Sequence, residues 1–357
     1  MYKKMKVLIF GGTGAIGQYL TDILSSKNIN VYVTSRICRP DKVNIKYIVG
    51  NAHDNAFLEK VLKNKWDVIV DFMSYKTEEF KCRLDCLLTH TDQYIFVSSA
   101  RVYGNDDCLI TERTPRLLDC SHDQGYLATD EYALTKARQE NLLLNGSKIN
   151  FTIVRPYITY GNDRLQLGVL EKEEWLYRAL KGRTIVFPEE LIDKYTTFTN
   201  GYDVAYGISC LIGNKSAHGE AIHLVNNKSM RWIDILKIYE KAIFLSCGLQ
   251  INYKFVPTDD FLKCRNPELR YQFIYDRLFN RRFDTTKQDY FTNSHSFIDV
   301  EDGVVSCIKN SVANKRFKNV SWRYEAVKDK LTKERTPLSE IPTNKGRVVY
   351  FLYRNLF

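Results

Sequence analysis

Lys6-Val7-Leu8-Ile9-Phe10-Gly11-Gly12-Thr13-Gly14-Ala15-Ile16-Gly17 is the stretch that decides the fold. Its first five residues form an apolar run of the kind that makes a strand buried on both faces. Glycines follow at 11, 14 and 17, and then an amphipathic stretch places Tyr19, Leu20, Ile23 and Leu24 at helical spacing. Residues 31–35 read as a second strand. Strand, glycine turn, helix and strand within about thirty residues make a βαβ unit. In that setting the glycines let the backbone approach a pyrophosphate, and the helix N-terminus adds amide donors and a favourable dipole. Gly11, Thr13, Gly14, Ala15, Ile16 and Gly17 are therefore the expected phosphate-side contacts.

Further short apolar runs at 43–49, 66–71, 93–97, 150–154 and 221–225 read as strands, and 76–88 as a helix with Phe80, Leu84, Leu87 and Leu88 on one face. Beyond Gly161 the pattern changes to a helix at 173–180, a strand at 182–188 and a helix at 231–242.

Composition bounds the function. The chain has 357 residues, 44% hydrophobic and 26% charged, and can bury a sizeable core. No run approaches the ~18 apolar residues of a membrane span, so a cytoplasmic address is expected. Nine scattered Cys without a Cys-x-x-Cys pair read as reduced thiols, with no metal site. The net charge of +10 is local, because residues 309–357 carry 12 Lys and Arg against 4 Asp and Glu. A broad basic face over the main body is not indicated, and no nucleic-acid partner is expected.

Tyr132-Ala133-Leu134-Thr135-Lys136 lies in a run, 128–144, rich in helix formers and free of Gly and Pro. Four apart on a helix, the phenol and the ammonium share one face. A fixed cation favours the phenolate; bringing a phenol of pKa ~10 into range at neutral pH takes a shift of roughly 3 units, about 4 kcal/mol. One Lys supplies part of that.

Gly11-x-x-Gly14-x-x-Gly17 with Tyr132-x-x-x-Lys136 resembles the short-chain dehydrogenase/reductase superfamily. Ser98-Ser99-Ala100-Arg101-Val102-Tyr103-Gly104 looks like a segment of its extended members that act on nucleotide sugars. The resemblance implies an α/β fold: a doubly wound Rossmann sheet of about seven parallel strands with a smaller C-terminal α/β substrate domain and the site in the cleft. The cofactor domain would span 1–160, with a segment near 198–225 returning to it. Residues 161–313 would mainly bind substrate, and 314–357 form a basic, aromatic extension. A homodimer is the common assembly of such enzymes.

By the same match Ser99, Tyr132 and Lys136 are catalytic. Ser99 holds the substrate oxygen, Tyr132 gives the proton, and Lys136 binds the ribose and lowers the Tyr pKa. Asn51, where the superfamily usually has Asp, and Ala52 would meet adenine. Phe72, Met73 and Ser74 would line the path to the nicotinamide, which Pro156 and Tyr157 approach. An Arg can pair with a ribose 2′-phosphate, so Arg36 after Ser35 points to NADP(H), with NAD(H) the other possibility.

Departures from the pattern narrow the reaction. Relatives that eliminate water place Asp-Glu where Ala100 and Arg101 stand, so a 4,6-dehydratase lacks its carboxylates here. Ile158 replaces an Asn near the sugar nucleotide. Thr196 occupies an Arg position before Asp203-Val204-Ala205, with Lys194 as a substitute point charge. Arg277 or Arg282 resembles the Arg that binds the diphosphate ahead of Asp284-x-x-Lys287, and Arg101 lies beside the substrate position. The expected activity is NADPH-linked reduction of a 4-keto nucleotide sugar of the dTDP-4-keto-6-deoxyhexose type, for surface polysaccharide. The alternative is a 4-epimerase that retains NAD. A non-catalytic sensor or RNA-binding protein has only the basic tail in its support. That tail, cationic with interleaved aromatics, reads either as docked on its own domain or as a contact for an anionic membrane surface or a partner.

Overall fold

The computed structural model describes residues 4–314, 317 and 320–356. The chain divides into two compact units. One comprises Met1–Thr159, Thr197–Lys228 and Arg282–Ile298; the other comprises Tyr160–Thr196, Ser229–Arg281 and Asp299–Phe357.

The first unit is built on seven parallel strands: β1 (Lys6–Phe10), β2 (Asn30–Ser35), β3 (Ile45–Val49), β4 (Trp66–Asp71), β5 (Thr91–Val97), β6 (Phe151–Pro156) and β8 (Glu220–Leu224). Their spatial order is β8-β6-β5-β4-β1-β2-β3. Alternation along β1 shows why both faces must be covered. Val7 and Ile9 enter one apolar layer with Leu20 and Leu24 of helix α1 (Gly17–Ser26) and Val204 and Ile208 of α6 (Gly201–Leu211). Leu8 and Phe10 enter the other with Leu58 of α2 (Asn55–Leu62) and Phe80 and Leu87 of α3 (Thr77–Thr89). Each such side chain contributes roughly 1.5–3 kcal/mol of burial. From β1 the chain adds β2 and β3 on one side and β4 onward on the other. The switch point therefore lies between β1 and β4, where open α/β sheets bind ligands beyond the strand C-termini.

Helix α4 (Tyr132–Leu144) starts later than the 128–144 run suggests. Glu131 adopts an extended backbone and its carboxylate accepts the Ala133 N–H at 2.7 Å, so the cap fixes Tyr132 as the first helical residue. The loop expected before it contains two single helical turns, Leu117–Cys120 and Gln124–Leu127.

The second unit pairs two short parallel strands, β7 (Ile185–Pro188) and β9 (Tyr253–Val256), with helices α5 (Lys172–Leu180), α7 (Trp232–Cys247), α8 (Val300–Asn314), α9 (Trp322–Thr332) and α10 (Asn344–Asn355). Helix α7 outlasts its expected span and stops at Gly248, whose φ of 71° suits a residue without Cβ. The basic extension folds onto this unit. Arg178 of α5, fully buried, donates to Glu325 at 2.8 Å, Asp329 at 2.7 Å and Glu334 at 2.9 Å. The nine cysteines are free thiols.

Candidate active site

The glycine turn explains itself atom by atom. Gly11 has a φ of 72°, and a Cβ there would stand 3.2 Å from the Phe72 Cβ. At Gly17 a Cβ would meet the Gly12 Cα at 2.6 Å, so the helix can start this close to the turn only without a side chain. Gly12, which the spacing left unassigned, is excluded from carrying a side chain by Val33 at 2.9 Å and Ile9 at 3.0 Å. Thr13 and Gly14 are exposed, while Ala15 and Ile16 are half-buried. Helix α1 begins with no side-chain cap and no acidic residue in its first turn, in contrast to α2, whose Asp54 accepts the Ala56 N–H at 2.9 Å. An uncapped first turn behind an open glycine loop fits a bound pyrophosphate.

Beyond β2, the Ser35 hydroxyl is engaged with the Ile37 backbone, donating to its carbonyl at 2.7 Å and accepting its N–H at 3.2 Å. Arg36 follows, exposed. The turn after β3 holds Asn51, whose Oδ1 accepts the His53 N–H at 3.2 Å, and Ala52, which is buried. Arg83 of α3 fixes that turn from below, donating to the Ala52 carbonyl at 2.8 Å and the His53 carbonyl at 3.1 Å. Sequence reading missed Arg83, because a cation between Phe80 and Leu84 on an apolar helix face gives no sign of its carbonyl partners.

Phe72, Met73 and Ser74 leave β4 beside the glycine turn; the Met73 Sδ lies 3.5 Å from where a Gly11 Cβ would be. Met73 also receives Lys136. The Lys136 Nζ, 2% exposed as a residue, donates to the Val97 carbonyl at 2.8 Å and to the Met73 carbonyl at 3.3 Å. Beneath Met73 sits Asp71, fully buried, which accepts the Met73 N–H at 2.9 Å and the hydroxyls of Tyr94 at 2.9 Å and Tyr75 at 3.1 Å. Burial lowers the Lys136 pKa to about 8, against the opposing pull of Asp71 and Glu140. Burial likewise raises the Asp71 carboxyl, against its hydrogen bonds and Lys136.

Tyr132 lies one turn before Lys136, 39% exposed, with the Lys136 Nζ 6.0 Å from its ring centroid. The Arg101 guanidinium stands 5.3 Å from the same centroid and is held by Glu131, the cap of α4. Ser99, 7% exposed, accepts the Arg101 N–H at 3.2 Å. Ser99, Arg101, Tyr132, Lys136 and Met73 thus form one connected chain of contacts in the first unit. Two cations, one from its own helix and one from the turn after β5, thus stand within about 6 Å of the Tyr132 ring centroid.

Glu140, one further turn along α4, is a residue that sequence reading did not single out. It accepts Ser98 Oγ at 2.6 Å and Arg155 at 2.8 and 2.7 Å, all buried. Ser98 is accordingly structural. His223, within β8, is packed: fully buried, it lies 3.5 Å from Glu112 and 2.8 Å from the Asp284 carbonyl.

The family model described as "NAD dependent epimerase/dehydratase family" matches residues 7–224. The chain belongs to the NAD dependent epimerase/dehydratase family. Over 254 residues it is 27% identical to the chloroplast stem-loop binding protein of 41 kDa b of Arabidopsis thaliana, a match covering 66% of this chain and 63% of that one. It is 26% identical over 207 residues to the dTDP-D-glucose 4,6-dehydratase of Dictyostelium discoideum, covering 47% and 46%. The chain thus spans less than two thirds of the length of either relative. Among solved structures, the UDP-glucuronic acid 4-epimerase of Bacillus cereus, in complex with UDP-glucuronic acid and NAD, superposes with a TM-score of 0.66 at 17% identity, covering 87% of this chain and 100% of that one. The dTDP-glucose 4,6-dehydratase of Bacillus anthracis, in complex with NAD, superposes with a TM-score of 0.65 at 17% identity, covering 87% and 97%. At these identities the likeness shows a shared fold.

The positions expected to meet substrate divide between the two units. Ile158, in place of an Asn, is 7% exposed and has a φ of 22°, a backbone that a β-branched residue rarely adopts and Asn tolerates better. Pro156 is half-buried, while the Tyr157 ring is enclosed, 5.4 Å from Phe283. Arg282 belongs to the first unit, where it donates to the Asp107 carbonyl at 2.9 Å. Lys194 and Arg277 belong to the second. Lys194 is half-buried, whereas Arg277 is 2% exposed and engaged with the Gly168 carbonyl at 3.0 Å, Gln166 at 3.3 Å and Asp276. Among the described residues no cluster of His, Cys, Asp and Glu could hold a metal, and no helix is long and apolar enough to cross a membrane.

Proposed function

We propose that the chain is an NADPH-linked reductase of a 4-keto nucleotide sugar, of the dTDP-4-keto-6-deoxyhexose type. The observation that carries this reading is the Tyr132 ring with Lys136 and Arg101 at 6.0 and 5.3 Å, Ser99 bonded to the Arg101 amide, and no carboxylate at 100 or 101. The Tyr132 O–H gives its proton to the sugar oxygen, and the Ser99 hydroxyl holds that oxygen. Lys136 keeps a positive charge beside the phenolate that results. Residues 11–17 hold the pyrophosphate, Asn51 and Ala52 the adenine, and Arg36 the ribose 2′-phosphate. Phe72, Met73, Ser74, Pro156 and Tyr157 flank the nicotinamide. When bound, the dinucleotide supplies the hydride. Of the cations considered for the diphosphate, Arg277 fits least, since its guanidinium is buried and already engaged within its own unit.

The test is purified protein with NADPH and dTDP-4-keto-6-deoxyglucose, followed by loss of NADPH. An unchanged NADPH signal sinks the reductase. Interconversion of UDP-hexose epimers without net cofactor change supports instead a 4-epimerase, the reading favoured by the NAD and UDP-glucuronic acid carried by the Bacillus cereus enzyme. A stem-loop RNA reading has the name of the Arabidopsis relative in its favour; RNA retention with no turnover of any nucleotide sugar supports it.

Two further outcomes are expected. Arg36→Asp raises the KM for NADPH about 10–100-fold, the loss of one charge-assisted phosphate contact, while the KM for NADH does not rise. Equal KM changes for both cofactors count against an Arg36–phosphate pair. In the pH profile, Lys136 is an ammonium below its pKa of about 8 and neutral above it, so kcat falls on the alkaline side of pH 8. A profile flat to pH 10 removes Lys136 from that role.

A further inference from the structure

The second unit sorts the charges of its C-terminal extension by sign. All four acidic residues of 317–357 are turned inward. Glu325 and Asp329 are buried on Arg178. Glu334 joins them and also accepts the Thr184 hydroxyl at 2.8 Å, and Glu340 pairs with Arg183 at 2.7 Å. Of the cations, Lys328 is buried with Glu325, but Arg323, Lys330, Lys333, Arg335, Lys345 and Arg347 are exposed. The charged residues of α9, α10 and their connection that are exposed are therefore all cations among the described residues.

Helix α10 adds apolar side chains to that surface. It packs inward through Gly346 and Tyr350, whose hydroxyl donates to Asp329 at 2.7 Å. On the opposite face Val348 is 59% and Phe351 49% exposed, with Leu352 half-buried between them, and Leu356 follows at 68%. Positions 348, 351, 352 and 355 share one helical face. Lys345 and Arg347, both exposed, flank this stripe on its two sides at helical spacing.

We propose that this face docks on an anionic bilayer surface, with Val348, Phe351 and Leu356 entering the headgroup boundary and Lys345 and Arg347 meeting lipid phosphates. Charge complementarity selects the occupant. A second copy laid face to face would oppose cation to cation, and a nucleic acid would gain nothing by burying Val348 and Leu356. An amphipathic helix with a cationic rim binds in the plane of the interface, its affinity growing with apolar area and anionic lipid.

The test is co-sedimentation of the full chain with phosphatidylcholine vesicles, with and without one-third phosphatidylglycerol. Partitioning onto the anionic vesicles is expected to be at least about tenfold stronger and to weaken with salt. Phe351→Asp lowers it about tenfold, and Lys345→Glu about fivefold, with far-UV circular dichroism and melting temperature unchanged because both side chains point away from the unit. Val348→Asp serves as a second variant should Phe351→Asp fail to fold. Equal weak partitioning onto both vesicle types overturns the proposal. So does wild-type partitioning by the folded variants, tight stem-loop RNA binding without vesicle binding, or a dimer that Phe351→Asp dissociates.

Discussion

Tyr132→Phe is expected to lower kcat by about 10²–10⁴-fold, the usual contribution of a positioned proton donor, with little change in KM or melting temperature. The asymmetry follows from where the hydroxyl sits. Tyr132 is 39% exposed on the first turn of α4, so losing one oxygen disturbs no packed core. Lys136 keeps its position, since its ammonium is anchored on the Val97 and Met73 carbonyls. Arg101 stays in place through Glu131. The variant therefore retains both cations and loses only the group that carries the proton. A kcat within threefold of the wild type, measured with a turned-over nucleotide sugar, excludes Tyr132 as the proton donor.

Glu140→Ala is expected to cost about 3–5 kcal/mol of folding free energy, read from urea unfolding. The carboxylate is fully buried and takes both arms of Arg155, at 2.8 and 2.7 Å, together with the Ser98 hydroxyl at 2.6 Å. Removing it strands a buried guanidinium. Replacing the pair with apolar groups of similar volume would cost far less, so Arg155→Met combined with Glu140→Leu should recover part of the loss. A single-variant cost below about 1 kcal/mol shows that the pair is not what holds α4 against β6. Because Ser98 adjoins Ser99, activity should fall with stability in Glu140→Ala, whereas Tyr132→Phe separates the two.

Local rules made much of this protein legible in its sequence. A run such as residues 6–10 buries on both faces whatever surrounds it, and glycines between strand and helix have few uses, so the βαβ unit and the apolar strand runs could be read directly, while the seven-stranded parallel order came from the resemblance. Tyr132 and Lys136 were legible because four residues on a helix span one turn. The sequence alone did not mark Gly12, Arg83, Asp71 or Glu140. Each acts through contacts with residues distant along the chain: Gly12 under Val33, Arg83 on the carbonyls of 52 and 53, Asp71 beneath the Met73 amide, and Glu140 on Arg155.

The extension illustrates the same division. Its net positive charge was countable, yet the count could not say which charges face water. The tertiary structure decided that by offering Arg178 and Arg183 to the acids, which leaves the cations outside. What the sequence by itself determined is the first βαβ unit, the glycine turn and the Tyr–Lys pair, because each is specified by neighbours within one element or one βαβ unit. What only the tertiary structure decided is how buried charges are paired, since a buried charge persists only where a partner from another part of the chain reaches it.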